Sequence, residues 1–96
     1  MTKLINRVVS IYKRKTSMRL ATEEWEALEA ICKRESLKRK RLLEMIEDHK
    51  APKLGLTCCV RIFVLSYMHR LAFSDLLKEK PNDSHKDVYR VFGLIS

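Results

Sequence analysis

Polar and apolar residues alternate along residues 14–20, which is the pattern of a half-buried β-strand. The even-numbered positions of this stretch would face a core, and the odd-numbered positions would form a polar, basic face of Lys15, Ser17 and Arg19. A lone strand leaves both of its edges unpaired, and the surrounding segments have mainly helical patterns. We therefore expect this strand to pair with the same strand of a second copy of the chain.

The preceding residues 4–12 are rich in β-branched side chains and also favour a strand. Their apolar residues Val9 and Ile11 have odd numbers, whereas Met18 and Leu20 have even numbers. Because successive side chains of a strand face opposite sides, one unbroken strand would place these two sets on opposite faces. We therefore expect a break or bulge between the two stretches.

The connection at residues 13–15 carries no hairpin signal. Lys13–Arg14 is not the Asn-Gly or Gly-rich pair that tight hairpins favour, so a hairpin is not predicted. Residues 1–13 are instead assigned to a basic N-terminal arm or an extra strand.

Residues 22–34 have the spacing of an amphipathic helix. Thr22 is a suitable N-cap, and Glu23 and Glu24 follow in the first turn, where the helix dipole favours negative charge. The apolar stripe consists of Trp25, Leu28, Ile31 and Cys32. We interpret Trp25 as a core residue, with stacking on a nucleic-acid base as the alternative.

A second helix is predicted to start at Ser36 and to turn Leu42 and Ile46 toward the core. Its charges oppose the helix dipole, because the start is basic and three acids lie between residues 44 and 48. Each such charge costs roughly 0.3–1 kcal/mol at an exposed helix end. We expect a phosphate to bind the free N–H groups and the basic side chains at the start. The candidate phosphate ligands are Ser36, Lys38, Arg39, Lys40 and Arg41. A solvated basic surface and contact with acids of a partner subunit are the alternatives.

Residues 51–55 are a linker, and a third helix follows over about residues 57–73, with Thr57 as its cap. This helix is apolar almost all round, with Ile62 and Phe63 near its middle, so we expect it to be buried in a dimer core.

Beyond the third helix, residues 78–86 are polar and predict a loop. The apolar residues 88–95 should either pack back on the body or cover an exposed edge. The organisation we expect is an arm or extra strand at 1–13, a strand–helix–helix motif at 14–50, a linker and third helix at 51–77, and a C-terminal tail at 78–96.

The net charge of +8 and the pI near 9.7 predict a polyanionic partner for this chain of 96 residues. The basic residues fall on a strand and a helix start rather than along one amphipathic helix face, which favours nucleic acid over a membrane surface. No apolar run approaches the roughly 20 residues that a membrane span needs, and three cysteines form no even disulfide set. We therefore expect a cytoplasmic, nucleoid-associated protein.

The sequence contains no recognisable catalytic or metal-binding pattern. Its potential ligands are Cys32, Cys58, Cys59, His49, His69 and His85, and their spacing matches no zinc motif. No Gly-rich phosphate loop, nucleophile elbow or His–carboxylate cluster occurs. We expect no cofactor, no metal and no enzymatic activity.

Three stretches carry a resemblance to a known family. They are Arg-Lys-Thr-Ser-Met-Arg-Leu at 14–20, Trp-Glu-Ala-Leu-Glu-Ala-Ile at 25–31, and Leu-Thr-Cys-Cys-Val-Arg-Ile-Phe-Val-Leu at 56–65. In this order and spacing they resemble the bacterial ribbon-helix-helix DNA-binding proteins that carry an extra helix after the motif. The likeness covers about residues 7–70.

The chain departs from that pattern in three places. Ala21 stands where an acid is usual, and Cys58–Cys59 replace small hydroxyl and Ala residues. Lys38–Arg41 replaces a Ser-rich, Asn-containing helix start, so the capping contact would move to Ser36.

The resemblance implies a mostly α-helical homodimer, with one β-strand pairing across the two subunits and with double-stranded DNA as the partner. Lys15, Ser17 and Arg19 would contact bases, and the start of the second helix would hold phosphate. The implied core and dimer residues are Met18, Leu20, Trp25, Leu28, Ile31, Leu42, Ile46, Ile62 and Phe63.

The function that follows is a sequence-specific DNA-binding protein that regulates transcription. Arg19→Ala should relax base preference, whereas Arg39→Ala should weaken binding to all sequences alike. The alternative is an antitoxin-like or adaptor dimer that docks a protein partner through its C-terminal tail. Removal of residues 78–96 should abolish capture of such a partner and leave DNA binding intact.

Overall fold

The computed structural model describes residues 3–73 and 86–93. Its elements, in chain order, are β1 (Leu4–Ile11), β2 (Arg14–Ala21), α1 (Thr22–Glu35), α2 (Arg39–His49), α3 (Leu56–Ala72) and α4 (Lys86–Phe92). The mostly helical fold, with a strand, two helices and a further helix in this order, is the one predicted from the sequence.

The two strands form an antiparallel hairpin within one chain, so the expectation that no hairpin forms is wrong. The turn consists of Tyr12 and Lys13, and Ile11 pairs with Arg14. Tyr12 has φ 49°, and two-residue hairpin turns require a positive φ at their first central residue. Tyr12 thus adopts a backbone conformation that such turns usually assign to Gly, Asn or Asp.

The register of the hairpin explains the change from odd to even apolar positions. Every pair joins an odd-numbered residue to an even-numbered one, as in Val9 with Thr16 and Arg7 with Met18. Odd residues of β1 and even residues of β2 therefore lie on the same face. The expected break between the two stretches is the turn itself.

The partner of β2 also differs from the expectation. β1 of the same chain occupies one edge of β2, where the sequence argument placed a second copy. Residues 4–11 thus form the extra strand, which is one of the two alternatives given for the N-terminal segment, and the other edge of β2 remains open to a second copy.

Helix α1 is well terminated at both ends. Its N-cap is Ala21 rather than Thr22, and the Glu24 carboxylate accepts the Ala21 N–H at 2.7 Å, which is half of a capping box. At the other end Ser36 adopts the left-handed conformation, with φ 57°. The Leu37 N–H bonds to the Cys32 carbonyl at 2.9 Å and the Ser36 N–H to the Lys33 carbonyl at 3.3 Å. This is a Schellman motif, so Ser36 closes α1 and does not cap α2.

The N-caps of α2 and α3 are Lys38 and Gly55. The predicted starts at Ser36 and Thr57 are therefore wrong. The core is formed by one face of the hairpin and the facing sides of the helices. Met18, Leu20, Trp25, Leu28, Ile31, Leu42, Ile46 and Phe63 are buried in it, and Ile62 is half-buried.

Burial of α3 in a dimer core stays a prediction, because within the single chain only one side of the helix is buried. Val60, Phe63 and Tyr67 face the core, but Leu65, on the opposite side, is 71% exposed. One side of this apolar helix thus has no cover within the described residues.

The start of the C-terminal apolar stretch packs back on the body, as one of the two sequence alternatives predicts. Val88, Val91 and Phe92 of α4 are buried, and the Phe92 ring stacks on His49 with centroids 4.4 Å apart. The expected polar loop at 78–86 and the last residues of the tail lie almost entirely outside the described residues.

Candidate nucleic-acid interface

The outer face of the hairpin is polar and exposed. Lys15, Ser17 and Arg19 are exposed on β2, as the alternation predicts, because Met18 and Leu20 between them are buried. β1 adds a second row to this face, which the sequence argument missed. In the hairpin register Asn6 pairs with Arg19, Val8 with Ser17, and Ser10 with Lys15, and all three β1 residues are exposed.

Half of the backbone groups of β2 point away from β1. In an antiparallel pair, a residue directs both its N–H and its C=O either toward the partner strand or away from it. The Thr22 N–H bonds to the Lys3 carbonyl at 3.1 Å, so the even-numbered residues are the ones directed at β1. The residues directed at the other edge of β2 are Lys15, Ser17 and Arg19. Arg61 of α3 reaches this edge, where its Nη2 donates to the Arg19 carbonyl at 3.2 Å.

The start of α2 presents free backbone donors within a basic turn. The Leu42 N–H bonds to the Lys38 carbonyl at 3.0 Å, and the three N–H groups before it, at residues 39–41, precede the first intrahelical bond. The Lys38 side chain makes no capping hydrogen bond, and the first turn contains no acid. Lys38, Lys40 and Arg41 are exposed. This end of α2 is therefore suited to an anion.

The outer face of the hairpin and the start of α2 are neighbours. Val8 and Ser10 of β1 line a cavity of about 510 Å³ together with Arg39 and Lys40 of α2. One exposed and mainly polar surface thus runs from β2, across β1, to the free N–H groups of α2.

Arg39 differs from its neighbours because its side chain is held within the chain. Its guanidinium lies 3.5 Å from a Glu29 carboxylate oxygen and 5.6 Å from the centroid of the Trp25 ring. Arg7 approaches the same ring at 4.9 Å. Trp25 itself is 2% exposed and donates its Nε1–H to the Ile5 carbonyl at 2.9 Å, so its ring faces are not open to a base.

The acids of α2 hold the tip of the hairpin. The Glu44 carboxylate accepts the Tyr12 N–H at 2.7 Å, and Asp48 accepts the Tyr12 hydroxyl at 2.5 Å. Arg14 forms an ion pair with Glu47 at 3.4 Å. The hydrogen bond to Asp48 is the main reason that the pKa of Tyr12 is raised. These contacts account for the acidic end of α2 within one subunit.

Two thiols and the hydrogen-bonded pair of Tyr67 and Glu35 are buried in the core. Burial raises the pKa of Cys32 to about 11 and also raises the pKa of Cys59, so both thiols stay protonated at neutral pH. Tyr67 donates its hydroxyl to the buried carboxylate of Glu35, and Arg34 donates to the same hydroxyl oxygen at 2.7 Å.

Within residues 3–73 and 86–93, no three potential metal ligands converge. Among the helices in the same residues, none has the length and apolar character needed to cross a bilayer.

A model of the ribbon-helix-helix domain matches residues 4–68, which is more than half of the chain. The chain belongs to the ribbon-helix-helix family. Ribbon-helix-helix proteins are in general DNA-binding regulators that act as dimers, and they are typically not enzymes. Searches of curated proteins and of solved structures returned no match.

The matched range includes β1, which begins at residue 4, so the first strand lies within the ribbon-helix-helix domain. The exposure of the β2 row was predicted from the sequence, whereas the β1 row of Asn6, Val8 and Ser10 was not. The available signal was the switch of the apolar positions from odd to even, which a two-residue turn produces.

Proposed function

We propose that this protein is a homodimeric, sequence-specific DNA-binding regulator of transcription that reads the major groove with the outer face of its hairpin. The observation that carries the proposal is the continuous exposed and mainly polar surface that runs from β2, past Val8 and Ser10 of β1, to the N-terminus of α2. Base-reading residue types lie at one end of it, and free backbone N–H groups lie at the other.

The open edge of β2 supports the proposed dimer. Its backbone groups at Lys15, Ser17 and Arg19 are symmetrically spaced about Ser17, so two copies can pair antiparallel through the same residues. Such pairing would join two hairpins into a sheet with β2 of each chain at its centre.

The width of the major groove determines which strands of this sheet can contact bases. Strands lie roughly 4.8 Å apart and the major groove is about 12 Å wide, so it admits the two central strands. Lys15, Ser17 and Arg19 of both chains would then contact bases. Asn6 and Ser10, on the flanking strands, would lie at the rims of the groove.

The phosphates beyond the rim would meet the start of α2. Lys38, Lys40 and Arg41 are exposed there beside the free N–H groups, whereas Arg39 is held by Glu29 and Trp25. We therefore assign the larger phosphate contribution to Lys40 and Arg41. Contacts of this kind fix the register of the protein on DNA without reading sequence.

The experiment begins with selection of bound duplexes from a random pool. The selected duplex and a scrambled duplex are then each titrated with the wild-type protein, Arg19→Ala and Lys40→Ala. Arg19→Ala should cost about 1–3 kcal/mol on the selected duplex and much less on the scrambled one. Lys40→Ala should weaken both duplexes alike and reduce the dependence of affinity on salt. Equal losses for both variants on both duplexes would contradict the assignment of base and phosphate contacts.

The adaptor alternative, with a docking segment in the C-terminal tail, has less support. The described part of that tail, α4, buries Val88, Val91 and Phe92 in the chain's own core. Removal of residues 78–96 would therefore uncover Phe63 and His49, and it no longer separates the two functions cleanly.

A further inference from the structure

The exposed side of α3 forms an apolar groove with the start of α1. The groove has a volume of about 370 Å³, and Ile62, Leu65 and Met68 provide its apolar lining. Glu23 and Glu24 form its wall on the α1 side. We call it the α3 groove. Leu65, at 71% exposure, is in the middle of a helix, where a solvent-facing position would ordinarily be polar.

The α3 groove adjoins the open edge of β2, and Arg61 joins the two. Arg61 lines the groove, its Nη2 donates to the Arg19 carbonyl at 3.2 Å, and its Nε lies 3.3 Å from a Glu24 carboxylate oxygen. Glu24 in turn accepts the Ala21 N–H at the end of β2. A chain that pairs with β2 along this edge must therefore come up against the groove.

We propose that a second copy of this chain occupies the α3 groove, so that the third helix forms the flank of the dimer interface whose centre is the β2 edge. This inference rests on the ribbon dimer of the proposed function and adds a contact surface that the strand–helix–helix motif alone does not supply.

Charge complementarity favours a second copy as the occupant. In an antiparallel pairing centred on Ser17, the start of one β2 runs beside the end of the other. The start of β2 follows Lys13, which is exposed in the turn, and the end of β2 leads into Glu23 and Glu24 on the wall of the groove. Each chain would thus bring positive charge to the acidic wall of its partner, twice in a symmetric dimer.

The test is the dimer dissociation constant of the full chain without DNA, measured by sedimentation over a range of concentrations. Leu65→Glu should raise this constant at least ten-fold, and Leu65→Ala should raise it by a smaller factor. Because Leu65 is exposed, both variants should keep the wild-type helical circular dichroism and the fluorescence of Trp25, the only tryptophan.

Phe73→Glu is the matched control, because Phe73 is 79% exposed just after α3 and does not line the groove. If Leu65→Glu and Phe73→Glu dimerise equally well, or if the wild-type chain stays monomeric, the groove is not filled by a second copy and the inference fails.

Ser17→Pro separates this failure from failure of the ribbon. Proline removes a backbone N–H from the open edge of β2 and leaves the hydrogen bonds to β1 in place. If Ser17→Pro loses the dimer while Leu65→Glu dimerises normally, the groove assignment is overturned and the pairing of the two β2 edges is supported.

Discussion

The N-termini of α1 and α2 lie 17 residues apart and are built in opposite ways. The start of α1 has Glu23 and Glu24 in its first turn, and Glu24 accepts the Ala21 N–H. The start of α2 has no acid and no capping hydrogen bond from Lys38. Acids at a helix start are stabilising, and basic residues there are destabilising by similar amounts.

The two helix starts therefore differ in whether they need a ligand. The acids at the start of α1 complement the helix dipole, and Glu24 accepts the Ala21 N–H, so this end needs no anionic ligand. The start of α2 leaves its donors and its positive charge to be satisfied from outside. The start of α1 is optimised for stability and the start of α2 is not. The start of α2 is therefore the end that is available for function.

The largest effect should come from reversing the charges at the start of α2. Lys40→Glu/Arg41→Glu makes this end resemble the start of α1, so the free energy of unfolding should rise by about 1 kcal/mol. DNA affinity should fall on the order of 100-fold or more, because two cationic contacts per subunit become repulsive. Thermal unfolding and duplex titration at fixed salt measure the two changes in the same protein.

The matched control is Lys50→Glu/Lys53→Glu, which makes the same change of net charge at the other end of α2. Lys50 is the C-cap of the helix and Lys53 is exposed in the following linker. If this control weakens DNA binding as much as the first variant, only the net charge matters and the start of α2 is not a specific phosphate site.

The charges at the two helix starts could be predicted from the sequence, whereas the contacts at the acidic end of α2 could not. The two helix starts and their charges were predictable because capping and dipole effects depend on residues a few positions apart. The roles of Glu44 and Asp48 were not, because they bond to Tyr12, more than 30 residues away. The sequence shows that these acids are misplaced for the helix dipole, but it does not show the hairpin tip with which they pair.

The hairpin itself was missed for a local reason. Tyr12 and Lys13 lack the Gly, Asn or Asp that usually mark a two-residue turn, and the positive φ of Tyr12 is stabilised by tertiary contacts with α2. The row of Lys15, Ser17 and Arg19 on β2 was nevertheless correctly placed on the exposed face, because alternation fixes the faces of a strand whichever strand it pairs with.

A smaller effect is expected from removing the cap of α1. Glu24→Ala deletes the hydrogen bond to the Ala21 N–H and one favourable charge, and it should lower the free energy of unfolding by about 1–2 kcal/mol. Glu26→Ala is the control and should cost much less, because Glu26 is an exposed acid two residues further on and makes no capping contact in the described structure. Equal unfolding free energies for the two variants would show that α1 is not stabilised in the way its geometry indicates.

The smallest effect should come from Ser36, which lies between the two helix starts. Its φ of 57° strains an L-residue by roughly 1–2 kcal/mol, and glycine relieves that strain at a cost of roughly 0.5–1 kcal/mol in unfolded-state entropy. Ser36→Gly should therefore raise the free energy of unfolding by about 0.5–1 kcal/mol. DNA affinity should stay within two-fold of wild type, because Ser36 closes α1 and the N-cap of α2 is Lys38. A ten-fold loss of affinity in this more stable variant would instead make the Ser36 hydroxyl a phosphate ligand, and the anion site would then extend back from α2 into the turn.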